Sequence, residues 1–183
     1  SDLVPAQEDC LREHGRQVEL LAKLGVDLIF IETMNCLREA LAALTAARDT
    51  GLDVLLSFCP LAPDHLFSQE PLEEVLPQVL EAGGSALRGV LLNCAPPEVL
   101  GGMYARFASR LSGFPHGVYG HLGEPDEIIG WKLPADHNPQ AYAQWVAARL
   151  KEGARLVGGC CGTTPAHIAE LARLLHAGSF DNF

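Results

Sequence analysis

Two kinds of hydrophobic pattern alternate along the chain. Short continuous apolar runs predict buried strands, and longer segments with apolar residues every three or four positions predict amphipathic helices. The runs predict five strands, at Asp27–Thr33, Asp53–Phe58, Gly89–Cys94, Gly117–Tyr119 and Ala154–Gly158. The periodic segments predict six helices, at Gln7–Leu24, Leu37–Ala47, Leu72–Glu81, Pro97–Leu111, Gln140–Leu150 and Thr164–Leu175. The stretch from His121 to Pro139 is predicted to be a long loop.

This alternation predicts an α/β fold. Strands that are apolar throughout are buried on both faces, as in parallel sheets covered by helices, and regular strand–helix alternation indicates βαβ units. No glycine-rich phosphate-binding motif follows the first strand, which favours a (β/α)₈ TIM-type barrel over a nucleotide-binding doubly wound sheet.

A complete barrel of this kind needs about 250 residues, whereas this chain has 183 and begins with a helix. We therefore expect residues 1–183 to form a single barrel domain that supplies about five strands and lacks its N-terminal units. The strands that contain Ile29 and Leu156 would then be open edges, which invite pairing. We expect residues upstream of Ser1 to complete the barrel or, failing that, two copies to pair as a homo-oligomer.

Composition excludes several classes of partner. The chain has 13 basic and 23 acidic residues and a formal net charge of −10, so it has no general affinity for nucleic acid. No apolar run reaches the roughly 18 residues that a membrane span needs, and the N-terminus lacks the pattern of a signal peptide. The six cysteines are not spread as a disulfide framework, which favours a reducing, cytoplasmic location.

Three cysteines stand where barrel enzymes carry their functional groups, at the carboxyl ends of strands: Cys94, Cys160 and Cys161. Zn²⁺ prefers thiolate ligands in a tetrahedral shell, and three protein ligands leave a fourth position open, as in catalytic sites. The glycines that flank the adjacent pair allow the backbone to turn so that both sulfurs face one ion. Strand ends in a closed barrel ring a common axis, so Cys94 could join them. The pattern predicts a zinc site.

The remaining candidates have simpler interpretations. Cys10 and Cys36 lie on or near helices and are expected in the core, where free cysteine is common. Cys59 follows a strand, and its place in the core or in a pocket lining stays open. A redox dithiol is the rival interpretation of the adjacent pair, although a disulfide between neighbouring cysteines is strained.

Further polar and aromatic side chains near the predicted strand ends have a structural explanation too. Glu32 could pair with an ammonium group or cap the next helix. His121 is expected to be solvated in its loop. Tyr142 and Trp145 are expected to pack the last-but-one helix against the barrel.

Three motifs together resemble the homocysteine S-methyltransferase family. The segment Gly158–Ile168, GGCCGTTPAHI, is similar to the family's C-terminal signature. Asn93–Cys94 after an apolar run resembles its second motif, and Phe30–Thr33 resembles the end of its fourth strand. Their order and approximate separations agree from about Leu20 to the C-terminus.

The resemblance implies a (β/α)₈ barrel that binds Zn²⁺ through Cys94, Cys160 and Cys161 and transfers a methyl group to the thiol of homocysteine, giving methionine. It implies that Glu32 and Asn93 bind substrate, with no catalytic group beyond the metal site. The partners would be homocysteine and a small methyl donor: a sulfonium, a quaternary ammonium or a methylated folate.

The chain departs from the family pattern at two places. The family's N-terminal motif, a strand that ends in Asp-Gly before a Gly-Thr turn, is absent. At the end of the seventh strand the family usually has Pro-Asn after a tyrosine, whereas this chain has Gly120-His121 after Tyr119. Two alternatives therefore stay open. One is a zinc-binding barrel remnant without turnover, and the other is a redox protein that uses the vicinal dithiol.

Overall fold

The computed structural model describes residues 3–62, 64–133 and 138–176, without the side chains at positions 62, 125 and 130. In chain order its elements are α1 (Gln7–Lys23), β1 (Leu28–Met34), α2 (Leu37–Arg48), β2 (Asp53–Phe58), β3 (Pro60–Ala62), β4 (His65–Leu66), α3 (Leu72–Gly83), β5 (Leu87–Asn93), α4 (Pro97–Ser109), β6 (His116–Tyr119), β7 (Glu124–Asp126), β8 (Gly130–Lys132), α5 (Pro139–Lys151), β9 (Leu156–Val157) and α6 (Pro165–His176).

Five of these strands form one parallel sheet in the order β1-β2-β5-β6-β9. At least one helix separates each strand of this sheet from the next in sequence, so the predicted βαβ alternation is confirmed. The carboxyl ends of all five strands therefore lie along one edge of the sheet. Among the described residues β1 and β9 are the outer strands of this sheet, as predicted for the strands that contain Ile29 and Leu156.

The core lies between the sheet and its helices. Val54, Leu56 and Val90 of the central strands are fully buried, and the apolar faces of the helices pack over them. The prediction that every strand is buried on both faces is wrong for β1. Its Ile29 and Ile31 are buried, whereas Phe30, which points to the opposite face, is 37% exposed. Phe30 and Glu32 on that face line a cavity whose lining includes no residue of the described helices, and this side of the sheet is called the concave face below.

Two short antiparallel hairpins were not predicted. One pairs β3 with β4, and the other pairs β7 with β8 inside the stretch from His121 to Pro139 that the sequence predicted as a loop. Asp126 stabilises the turn of the second hairpin, since its carboxylate accepts hydrogen bonds from the backbone N–H groups of Ile128 and Ile129 at 2.8 and 3.0 Å. Strands of two or three residues are too short to show an alternating hydrophobic pattern, so periodicity could not predict them.

The helix ends follow local chemistry. Gly25 has φ +76° just after α1, which is the left-handed conformation that glycine adopts freely. Pro97 is the first residue of α4, and the Asn138 side chain caps α5 by accepting a hydrogen bond from the Ala141 N–H at 2.9 Å. Across the ranges given above, no helix combines the length and hydropathy required to cross a bilayer.

Candidate functional site

Three cysteine sulfurs converge at the carboxyl edge of the sheet. The Sγ atoms of Cys94, Cys160 and Cys161 all lie within 4.8 Å of one another, and those of the adjacent pair are 3.9 Å apart. Sulfur ligands at 2.3 Å from a tetrahedral ion would be about 3.8 Å apart. β6 lies between β5 and β9, so the cluster joins non-neighbouring strands, as the sequence predicted. The donor set and its spacing fit a metal ion.

Backbone geometry directs these sulfurs. Cys94 has φ +55°, a left-handed conformation that is uncommon for residues other than glycine and is often found at functional sites. Its N–H donates to the carbonyl of Tyr119 at 3.2 Å, and the N–H of Cys160 donates to the carbonyl of Gly120 at the same distance. The end of β6 thus holds both cysteine-bearing loops.

The turn after the adjacent pair requires glycine. Gly162 has φ +75°, and a Cβ atom there would lie 2.0 Å from the carbonyl oxygen of Leu122. The N–H of Leu122 in turn donates to the carbonyl of Cys161 at 2.8 Å. The hydroxyl of Thr163 donates to the carbonyl of Cys160 at 2.7 Å. The glycine-rich run therefore lets this loop close against the chain that follows β6.

Burial raises the pKa of the Cys94 and Cys160 thiols, and the neighbouring cysteine groups contribute to the shift at Cys94. A cluster of thiols without a cation therefore favours the protonated forms. A bound divalent cation reverses this preference, because its charge stabilises the thiolates.

Cys59 lies buried beside this cluster. Its thiol donates to the backbone carbonyl of Cys94 at 3.4 Å, and burial raises its pKa to about 11. It is not one of the three cysteines whose sulfurs converge. Cys10 and Cys36 are buried at 4% and 3% exposure, as the sequence predicted.

Glu32 belongs to a hydrogen-bonded network at the same edge. The hydroxyl of Tyr119 donates to Oε1 of Glu32 at 3.0 Å and lies 2.7 Å from Oγ of Ser57. Oγ of Ser57 accepts from the N–H of Thr33 at 3.0 Å. Thr33 has φ +64°, so this strand end also has a left-handed residue. The network joins β1, β2 and β6.

Asn93 lies almost completely buried, at 1% exposure, next to Cys94. Its Nδ2 donates to Oγ1 of Thr33 at 2.8 Å. Within the described part of the chain its Oδ1 is buried without a hydrogen-bond partner. The structure thus shows Asn93 tying β5 to β1, and its predicted contact with substrate stays a prediction.

A cavity of about 280 Å³ is lined by Glu32 and by the residues that lead up to Cys160. Phe30, Leu55 and Leu91 provide apolar walls, Glu32 provides a carboxylate, and Gly159, which precedes Cys160, lines the cavity too. One charged group beside apolar walls and the cysteine-bearing loop suits a small amphiphilic ligand.

Two aromatic residues have roles beyond those that the sequence predicted. Tyr142 is buried as expected, but its hydroxyl also accepts from the N–H of Gly120 at 3.0 Å and lies 2.9 Å from the carbonyl oxygen of Gly158, which links the ends of β6 and β9. His121 is only partly exposed, and its ring meets that of Trp131 edge-on, with the ring centroids 5.9 Å apart. Neither residue stands in a motif that would have predicted these contacts.

The family model described as Homocysteine S-methyltransferase matches residues 3–175. The chain belongs to the homocysteine S-methyltransferase family. It is 33% identical over 169 residues to the homocysteine S-methyltransferase of Escherichia coli (strain K12), covering 86% of this chain and 51% of that protein. It is 28% identical to homocysteine S-methyltransferase 3 of Zea mays, covering 90% and 49% respectively. The chain therefore spans about half the length of the curated relatives that it matches.

Solved structures of the homocysteine methyltransferase MmuM from Escherichia coli have the same fold. The apo form has a TM-score of 0.76 and 26% identity, covering 95% of this chain and 59% of that one. The metallated form has a TM-score of 0.76 and 28% identity, covering 94% and 54%. The predicted family and the predicted barrel class, with five strands supplied by this chain, are confirmed. The metallated relative and the cysteine cluster together support a metal centre in this family member.

Proposed function

We propose that this family member transfers a methyl group to the thiol of homocysteine, giving methionine, with Zn²⁺ held by Cys94, Cys160 and Cys161. One observation carries the proposal: three sulfurs converge within 4.8 Å of one another beside a cavity that contains a carboxylate. The similarity to homocysteine S-methyltransferases supports the choice of substrate.

The donor set favours zinc over divalent ions that prefer oxygen ligands. Three thiolates are soft ligands, and carboxylate-preferring ions such as Mg²⁺ bind them poorly. The three cysteines leave one tetrahedral position for a ligand from solution. When held by the three cysteines, the ion would act as a Lewis acid. It would lower the pKa of a substrate thiol in the open position, which is otherwise near 8.5.

The protein's own residues would bind and orient the amino acid. Glu32 borders the cavity and would pair with the ammonium group of homocysteine, and the apolar walls would contact its methylene groups. Asn93 would complete the substrate site from β5. In the reaction the substrate thiol loses its proton to solvent, and its sulfur forms a bond to the methyl carbon. The bond between that carbon and the donor breaks, and its electron pair leaves with the donor.

The main alternative is a metal-binding protein without turnover. The chain spans about half the length of its relatives, and the donor-binding residues of those relatives need not lie in the matched half. A structural zinc site is closed by four protein ligands, whereas a substrate site keeps an exchangeable position.

Binding and turnover measurements on the zinc-loaded chain test the proposal. Calorimetry should show homocysteine binding that disappears when the metal is removed by a chelator. Methionine formation is then assayed with one sulfonium, one quaternary ammonium and one methylated folate donor. Zinc at full stoichiometry without homocysteine binding would favour the structural alternative, and binding without turnover would restrict the proposal to substrate recognition.

A further inference from the structure

A directed chain of hydrogen bonds ends on Glu32. It starts at the N–H of Thr33, which donates to Oγ of Ser57 at 3.0 Å. The Ser57 and Tyr119 hydroxyls are 2.7 Å apart, and the Tyr119 hydroxyl donates to Oε1 of Glu32 at 3.0 Å. Ser57 is completely buried and Tyr119 is 6% exposed, so water does not compete freely for these groups.

Proton counting fixes the direction of this chain. A backbone N–H only donates and a carboxylate only accepts, whereas each hydroxyl has a single proton. Tyr119 gives its proton to Glu32, so the short contact with Ser57 requires Ser57 to donate to the oxygen of Tyr119. Ser57 then accepts from Thr33. Every donor in the chain is used, and the last bond is strengthened by the charge of its acceptor.

This series of hydrogen bonds restricts the Glu32 side chain, which would otherwise move freely. Glu32 lies on β1, an outer strand of the sheet, and is exposed on its concave side. Tyr119 holds one carboxylate oxygen, and no described residue forms a hydrogen bond with the other. The Phe30 ring packs against that of Tyr119, with centroids 5.8 Å apart. A carboxylate held at one oxygen presents the other in a restricted direction, at the border of the cavity.

We propose that Tyr119 and Ser57 are positioning residues that orient Glu32 toward the ammonium group of the amino-acid substrate. This inference rests on the proposed function, because it assumes that homocysteine occupies the cavity beside Glu32. Its specific consequence is that the two hydroxyls affect recognition of the amino group and leave recognition of the thiol unchanged.

The test compares homocysteine with γ-mercaptobutyrate, which has the same thiol and carboxylate but no amino group. Dissociation constants are measured by calorimetry on the zinc-loaded chain for wild type, Tyr119→Phe, Ser57→Ala and the control Tyr104→Phe. Tyr104 is a buried tyrosine whose hydroxyl bonds to His116 instead of Glu32. Metal content and the thermal unfolding midpoint are recorded for each variant.

Tyr119→Phe should weaken homocysteine binding about fivefold to tenfold, the loss expected for one net hydrogen bond. Ser57→Ala should cause a smaller loss of about threefold, because Tyr119 keeps its own bond to Glu32. Binding of γ-mercaptobutyrate should change by less than about twofold in both variants, and Tyr104→Phe should bind both ligands like wild type. In a Glu32→Gln background, Tyr119→Phe should have little further effect, since the two residues act through one contact.

Equal losses for the two ligands would show that Tyr119 only maintains the pocket, and this would overturn the inference. Unchanged homocysteine affinity in both variants would overturn it as well, while leaving the proposed function intact. If Tyr119→Phe fails to fold, Ser57→Ala decides the question by the same comparison. A wild-type chain that binds neither ligand would overturn the proposed function and this inference together.

Discussion

Cys94, Cys160 and Cys161 support the metal proposal through their sulfur chemistry, so the first prediction replaces single sulfur atoms. Cys160→Ser and Cys161→Ser should reduce zinc content from about one equivalent to near zero, because a serine hydroxyl is not a thiolate ligand and two cysteines bind weakly. Elemental analysis of purified protein measures this content. Cys36→Ser is the matched control, since Cys36 is a buried cysteine outside the converging group. Zinc retained at the wild-type level in either ligand variant would exclude that residue as a ligand.

Glu32 is predicted to act on substrate affinity and not on metal binding. Glu32→Gln removes a charge that would face an ammonium group, and hydrogen bonds to charged groups contribute about 1.5–3 kcal/mol. Homocysteine binding should therefore weaken at least tenfold by calorimetry, with zinc content unchanged. Glu81→Gln replaces an exposed glutamate on α3 and should behave like wild type. If zinc were lost from the Glu32 variant, the residue would have to be assigned to the metal site.

At the scale of residues, the sequence predicted that three cysteines converge but did not predict the hydrogen bonds around them. The adjacent pair between glycines is rare enough to suggest a ligand set, and its spacing from Cys94 agreed with strand ends around one axis. Ser57, Tyr119 and Tyr142 have no such signal. They are ordinary residues in or beside apolar segments, and their roles depend on which side chains the sheet order brings together. That information is tertiary and is absent from local patterns.

Among the elements, one long periodic segment and one continuous apolar run were predicted most accurately. The predicted helix at Leu37–Ala47 is observed as Leu37–Arg48, and the predicted strand at Asp53–Phe58 has the same bounds in the structure. The last strand is shorter than predicted, with only Leu156–Val157 in the ladder. Gly158 and Gly159 follow it, and the chain leaves the sheet there to bring Cys160 toward Cys94. The apolar run alone did not show where pairing stops.

The burial of His116 between α4 and β6 is predicted to make stability depend on pH. Tyr104 of α4 and His116 of β6 are both buried, and the Tyr104 hydroxyl lies 2.7 Å from Nδ1 of His116. Burial lowers the pKa of His116, and the positive charge of Arg155 adds to this shift. A folded-state pKa below the unfolded value of about 6.5 means that the unfolded chain binds the proton more tightly. The free energy of unfolding should thus be fully maintained above about pH 6.5 and fall as the pH decreases below it.

Denaturant unfolding at a series of pH values measures this dependence. His116→Gln should lower stability at neutral pH and reduce the loss on going from pH 7 to pH 5.5, because the titrating group is gone. His176→Gln is the control, since His176 is exposed at the end of α6. An identical pH slope in wild type and the His116 variant would show that other groups cause the acid sensitivity.

On the scale of the whole molecule, the described sheet has features of part of a closed barrel. Its order runs from β1 to β9 without any described strand joining the two, and Leu28 and Phe30 on the concave face of β1 are 43% and 37% exposed. In a closed barrel such inward-facing side chains are covered by layers of side chains from the other strands. The proposal that further strands complete the domain upstream of Ser1 explains both features. It also agrees with relatives twice as long.

A polypeptide of these 183 residues alone should therefore associate with itself. The outer edges of β1 and β9 present backbone N–H and C=O groups, and the exposed Leu28 and Phe30 lie on the concave face beside β1. Both features favour pairing with another copy. Sedimentation velocity at micromolar concentrations should show a mass above that of the monomer, increasing with concentration.

Leu28→Lys places a charge on the concave face at the edge strand and should shift the population toward monomer, as charged residues at natural sheet edges do. Leu20→Lys, at a 58% exposed position on α1, should leave association unchanged. A chain that stays monomeric throughout this range would mean that its edges and concave face are covered from within, and would argue against an incomplete barrel.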